Sequence, residues 1–152
     1  MIYFKNMNIY HSYFRFWRNF QNKIDYCWVA ITKTVPQDYI GSIYRRLAPI
    51  GENFDRVCEP FNEKAFFIEY AKLLHSLDKK EIRKEIESFS KHGKDIVLLN
   101  WEDLERKSEG RFAYAWMNGM TIEEADRFDL QNVLDKKKRE EDLIYGSRFL
   151  TL

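Results

Sequence analysis

The sequence predicts an α/β fold, a mainly parallel sheet with helices on both faces. Three observations carry that expectation. The apolar runs at residues 27–31 and 96–99 do not alternate with polar residues, which is how strands buried on both faces read. Segments with helical spacing separate them, an order typical of α/β chains. The second run then turns abruptly polar at Asn100-Trp101-Glu102. That is where a ligand site lies in such sheets, beyond the carboxyl ends of the strands.

The elements follow in order. Residues 7–14 read as a first strand ending near Ser12-Tyr13-Phe14, and Phe14, Trp17 and Phe20 then recur at helical spacing. Cys27-Trp28-Val29-Ala30-Ile31 is the second strand. It must close before Pro36, which lacks the donor a central strand needs. Residues 36–62 hold all three prolines and show no clear periodicity, so a long loop is expected, with one or two helical turns at 42–47. An amphipathic helix is expected over 63–77, with Phe66, Phe67, Tyr70, Leu73, Leu74 and Leu77 on its buried face.

Asp78 followed by Glu81 has the spacing of a capping box and opens a helix marked by Ile82, Ile86 and Phe89 and stopped by Gly93. The strand at 95–100 comes next, then a helix over 111–117 ended by Gly119. Thr121 with Glu124 is a second capping box, opening a helix expected to run past Leu134. The run Lys136-Lys137-Lys138-Arg139-Glu140-Glu141-Asp142 reads as a solvated helix end. Together these elements predict one Rossmann-like three-layer domain over residues 1–152, its strands ending at Ser12, Lys33 and Asn100 being parallel neighbours. Residues 121–152 would form its C-terminal helix and tail.

Composition narrows the function classes. The chain has 152 residues, with 25 basic against 24 acidic side chains and a net charge of +1, so no global field favours nucleic acid or an anionic membrane. Aromatic residues make up 16%, which argues for a dense core. Cys27 and Cys58 lack the CxxC spacing of redox or zinc motifs, and His11, His75 and His92 are scattered, so no metal and no cofactor is expected. No apolar run approaches the roughly 20 residues of a membrane span. Lys5, Asn6 and Asn8 interrupt what a signal peptide would need as an apolar core. A cytoplasmic location is the expectation.

Several of these residues also carry a likeness. Ser12-Tyr13-Phe14, then Ile31-Thr32-Lys33-Thr34-Val35-Pro36, Tyr39, Gly41, Tyr44 and Leu47-Ala48-Pro49, followed by Leu98-Leu99, Trp101, Glu102 and Trp116, resemble the family called "domain of unknown function 488". The resemblance spans roughly residues 8–118, and the tail after Met120 has no counterpart. Members occur in bacteria and are frequent in phages and prophages, so the resemblance implies a phage- or prophage-type protein with a role against a host defence. It also implies reactive groups that are missing here. The family reads cysteine-aromatic-glutamate after the last strand and cysteine-histidine-arginine at the next helix. Asn100 stands at the first cysteine, and Ser108-Glu109-Gly110 fall on the second triplet, with Arg111 one position late. Lys33 stands where members carry arginine.

With both thiols gone from the cleft, Cys27 at the far end of its strand and Cys58 in a loop, cysteine catalysis is not expected. The candidate ligand-binding set is Ser12, Tyr13, Lys33, Tyr44, Arg45, Asn100, Trp101, Glu102 and Arg111. Lys33 and Arg45 would hold an anion, although Arg45 and Arg46 are adjacent and cannot both face one way. Trp101, Tyr13 and Tyr44 would stack a ring. Lys33, Tyr44 and Glu102 are expected to line one concavity. The expected function is therefore a non-catalytic binding protein for a nucleotide-like anionic ligand or a host protein partner. The alternative is a hydrolase or transferase on a nucleotide or nucleic acid with Glu102 as general base. Neither nucleic-acid binding as such nor membrane attachment is favoured, and oligomeric state is open.

Overall fold

The computed structural model describes residues 7–101 and 109–150, the last four of these without their side chains. Four strands form one all-parallel sheet: β1 (Ile9–Tyr13), β2 (Cys27–Ala30), β3 (Ser42–Ile43) and β4 (Ile96–Asn100), in the spatial order β1-β4-β2-β3. The helices are α1 (Phe14–Asn19), α2 (Glu52–Cys58), α3 (Glu63–His75), α4 (Lys79–Glu87), α5 (Glu109–Asn118), α6 (Ile122–Asp126) and α7 (Leu130–Leu150). The α/β expectation holds, with β4 and β2 as the inner strands. Ile96 sits opposite Ile9 on one side and Cys27 on the other.

Burial on both faces explains why the apolar runs do not alternate. Ile96 and Leu98 of β4, with Val29 and Ile31, face a core shared with Phe66, Tyr70, Ile82, Ile86 and the apolar side of α5. Val97 and Leu99, with Trp28 and Ala30, face a second core completed by Phe14 and Trp17 of α1 and by Leu130 of α7. All five residues of β4 are buried.

Local signals account for several boundaries. The Asp78 carboxylate accepts from the backbone N–H of Lys80 and Glu81, capping α4. The Glu81 side chain accepts instead from Arg46 at 2.8 Å. The Thr121–Glu124 box is complete in both directions. Gly119, at φ +62°, takes the left-handed turn that ends α5.

Three expectations need correction. Residues 36–62 are not one long loop: beside the expected helical turn, found as a 3-10 turn at Arg45–Leu47, they hold β3 and α2. These pieces are too short to show a period, and tertiary pairing such as the Tyr44 N–H to the Ala30 carbonyl holds them. The helix opened by Asp78 ends at Glu87, well before Gly93. The helix opened by Thr121 does not run past Leu134 unbroken; it stops at Asp126, and α7 starts at Leu130. The break is used against the sheet edge, where the backbone N–H of His11 donates to the Phe128 carbonyl at 3.2 Å. An edge strand left without that cover would present unpaired backbone groups.

Candidate functional site

The exits of β2 and β4 diverge. The segment leaving β2 packs Val35 and Tyr39 onto the α1 face, whereas α5, which follows β4, lies on the opposite face. Diverging exits of neighbouring parallel strands leave a crevice at their carboxyl ends, the usual ligand position in open α/β sheets. A cavity of about 490 Å³ occupies that place. Thr32, Lys33 and Thr34 come from the β2 exit, Phe54, Asp55, Cys58 and Glu59 from α2 and its end, Phe66 from α3, Trp101 from the β4 exit and Glu109 from α5.

Its central wall is held rigidly. The Thr34 carbonyl accepts from the Thr32 hydroxyl at 2.6 Å and from the Trp101 indole N–H at 2.9 Å, tying the two strand exits together. The Trp101 ring packs on Phe14, 4.7 Å between centroids. The Lys33 ammonium lies 3.5 Å from the Asp55 carboxylate, both largely exposed.

The expected site residues divide into groups. Lys33 and Trp101 line the crevice. Arg45 touches its margin, donating to the Lys33 carbonyl at 3.3 Å, while Arg46 turns away to the α4 carboxylates Glu81 and Glu85. Asn100 is buried at the floor of the β4 exit and donates to the Trp101 carbonyl at 2.9 Å. Tyr44 is buried on the α4 side, its hydroxyl donating to Glu85 at 2.7 Å, and does not line this crevice. Tyr13 lines a separate hollow of about 490 Å³ with Arg15, Phe16, Asn19, Phe20 and Gln131. Ser12 is buried in the sheet, its hydroxyl without a hydrogen-bond partner among the described residues. Arg111 grips Asp126 with two hydrogen bonds, of 2.6 and 2.9 Å. Glu102 and Ser108 lie outside the described residues.

Among the crevice residues the sequence reading names only Lys33 and Trp101; Asp55, Glu59, Glu109 and Cys58 all escape it. Glu109, in the first turn of α5, lines the crevice with only 4% of its surface exposed. A carboxylate at a helix N-terminus is favoured by the helix dipole, and a glutamate just ahead of an apolar helical pattern was the available signal. Cys58 also lines the crevice, correcting its assignment to a loop away from the cleft; it is the last residue of α2, a helix too short to show periodicity. Cys27 is where the sequence placed it, at the amino end of β2, its sulfur accepting from the Lys91 N–H.

The described lining holds one cation, Lys33, against the carboxylates of Asp55, Glu59 and Glu109. Among the described residues, no group of three or more His, Cys, Asp or Glu side chains is placed to hold a metal ion. On the far side of β1, His11 is buried with Nε2 2.7 Å from the Ala125 carbonyl. Burial lowers its pKa, against the opposing pull of that carbonyl, Asp129 and Asp126. Among the described residues, no helix is long and apolar enough to cross a membrane.

No protein-family model, curated protein or solved structure was found to match this chain. The likeness to "domain of unknown function 488" therefore rests on the quoted residues alone.

Proposed function

We propose that this chain is a binding protein that holds a small ring-bearing ligand in the crevice between β2 and β4. The observation that carries this reading is the crevice itself: apolar walls from Phe54, Phe66 and Trp101, with polar groups converging from the β2 exit, α2 and α5. The expected anionic ligand is less well supported than a cationic one. Lys33 already faces Asp55, and Glu59 adds further negative charge to the described lining. An aromatic amine matches both the walls and the charge.

Titration calorimetry with tryptamine, adenosine and AMP tests ring and charge separately. Tryptamine should bind most tightly and AMP least. Asp55→Asn and Glu59→Gln should each weaken tryptamine by about 1.5–3 kcal/mol if they contact the ammonium. Tightest binding of AMP would reverse the assigned ligand charge, and no binding of any of the three at millimolar concentration would remove the binding reading.

One observation favours a second reading, carboxylate-based hydrolysis or group transfer. Glu109 is buried within the crevice, the setting in which a carboxylate becomes a useful general base. Turnover of a nucleotide panel that falls roughly 10²–10⁴-fold in Glu109→Gln, with binding intact, would select it.

A further inference from the structure

The crevice between β2 and β4 changes character from floor to mouth. Phe66 and Phe54, 1% and 6% exposed, form an apolar floor, and Trp101 is half-buried beside them. Lys33 and Asp55 lie at the mouth, their side chains 56% and 64% exposed. Glu59, four positions beyond Asp55, is exposed there too. A lining graded in this way receives a small ligand with an apolar ring at one end and charge at the other.

The charges at the mouth are of both signs and lie side by side. The Lys33 ammonium is 3.5 Å from the Asp55 carboxylate, longer than a charge-assisted hydrogen bond. A ligand with only an ammonium is attracted to Asp55 but is then held close to Lys33, and like charges at that range repel. A ligand with only a carboxylate meets the reverse conflict. A zwitterion meets neither. The ammonium nitrogen and carboxyl carbon of an α-amino acid are about 2.5 Å apart by covalent geometry, so both charged groups reach the protein pair at once. Laid antiparallel against that pair, the headgroup puts its carboxylate on Lys33 and its ammonium on Asp55. The four charges then alternate in sign, and neither protein group gives up its own partner. Glu59 offers a further acceptor for the remaining ammonium protons.

We infer that the ligand of this crevice is a free aromatic α-amino acid, its ring against Phe54, Phe66 and Trp101 and its headgroup on Lys33 and Asp55. The inference rests on the ring-binding function proposed for the crevice and narrows the amine to one with a carboxylate on the same carbon. A residue at either end of a peptide carries only one of the two charges.

Titration calorimetry of the full chain with tryptophan, tryptamine and indole-3-propionate tests this, the last two standing in for the two ends of a peptide. Tryptophan should bind about fivefold more tightly than tryptamine, the upper range for a partly exposed ion pair, and indole-3-propionate should bind least. Lys33→Gln should move the two amines in opposite directions. Tryptophan weakens because its carboxylate loses a partner, and tryptamine tightens because its ammonium loses a repelling neighbour. Position 33 is exposed, and circular dichroism checks that the variant remains folded. Either analogue binding the parent as tightly as tryptophan, or a Lys33→Gln variant that keeps the parent's preference, would overturn the amino-acid assignment and leave the ring-binding function standing. Absence of binding by all three at millimolar concentration would remove both.

Discussion

The side-chain oxygen of Asn100 occupies the space in which any residue other than glycine at position 110 would carry its Cβ. Asn100 ends β4 and Gly110 lies in the first turn of α5, so this contact sets how closely the helix approaches the sheet beside the crevice. Asn100 has no room to yield, being 1% exposed and bonded to the Trp101 carbonyl. Gly110→Ala should therefore destabilise the fold by about 1–3 kcal/mol in chemical denaturation, the range for overpacking, despite alanine's better helix propensity. In the double variant Asn100→Ala/Gly110→Ala the collision is gone, and the cycle should show a coupling energy of at least about 0.5 kcal/mol. Additive losses would mean that the two residues do not constrain one another.

Arg111 and Asp126 tie α5 to α6 through two parallel hydrogen bonds, with side chains 30% and 43% exposed. Solvent screening at that exposure holds the pair to about 1 kcal/mol. Arg111→Ala and Asp126→Ala should each cost close to that amount, and the double variant little more than either single. Equal and fully additive losses would show that each residue acts through other contacts.

Asp78→Ala removes the side-chain acceptor for two backbone donors of α4 and should cost about 0.5–2 kcal/mol in thermal unfolding. Asp78→Asn retains the acceptor and should recover most of the loss. If the two variants melt alike, the carboxylate charge rather than the cap is what matters.

The contrast between these elements shows what the sequence could and could not reveal. β2 and β4 were legible because burial on both faces leaves an uninterrupted apolar run, and the caps at Asp78 and Thr121 because capping is local chemistry. The topology was legible up to strand order: nothing local to residues 96–100 says that β4 enters between β1 and β2. β3 and α2 were not legible, because two and seven residues show no period and their stability comes from partners distant in sequence. The site suffered in the same way. Lys33 and Trp101 were placed by the strand-end rule, whereas Cys58 and Glu109 enter the crevice through packing of α2 and α5. Tyr44 lies immediately after β3 but faces α4, since its hydroxyl finds Glu85 there.

His11 predicts a pH dependence of stability. Burial lowers its folded pKa below the ordinary value of about 6.5. As pH falls through that value the unfolded chain takes up a proton that the folded imidazole refuses, so stability present above it is lost below it. The groups facing the ring are the Ala125 carbonyl, Asp129, Asp126 and Arg111. Asp129 is shifted upward by its own burial and titrates with the opposite sign, above its ordinary carboxylate value. The melting temperature should fall as pH drops below about 6.5, and the fall should shrink in His11→Gln, which keeps a donor for the Ala125 carbonyl. An unchanged slope in that variant would assign the dependence to other groups.

Cys58 offers a direct chemical test of the crevice. Its position among Phe54, Asp55, Glu59 and Trp101 means that a carbamidomethyl group added to its sulfur would take up space in the cavity itself. Cys27 lies at the opposite, amino end of the same sheet, so its modification would leave the crevice unaltered. Iodoacetamide treatment should therefore weaken tryptamine binding by roughly tenfold or more, about 1.4 kcal/mol. Cys58→Ser should bind tryptamine as the parent does and lose its sensitivity to the reagent, while Cys27→Ser should stay sensitive. Saturating tryptamine should slow modification of Cys58, as read by peptide mass spectrometry. Circular dichroism of the alkylated protein separates a blocked crevice from a damaged fold. Unchanged tryptamine affinity in folded protein fully modified at Cys58 would place the binding site somewhere other than between β2 and β4.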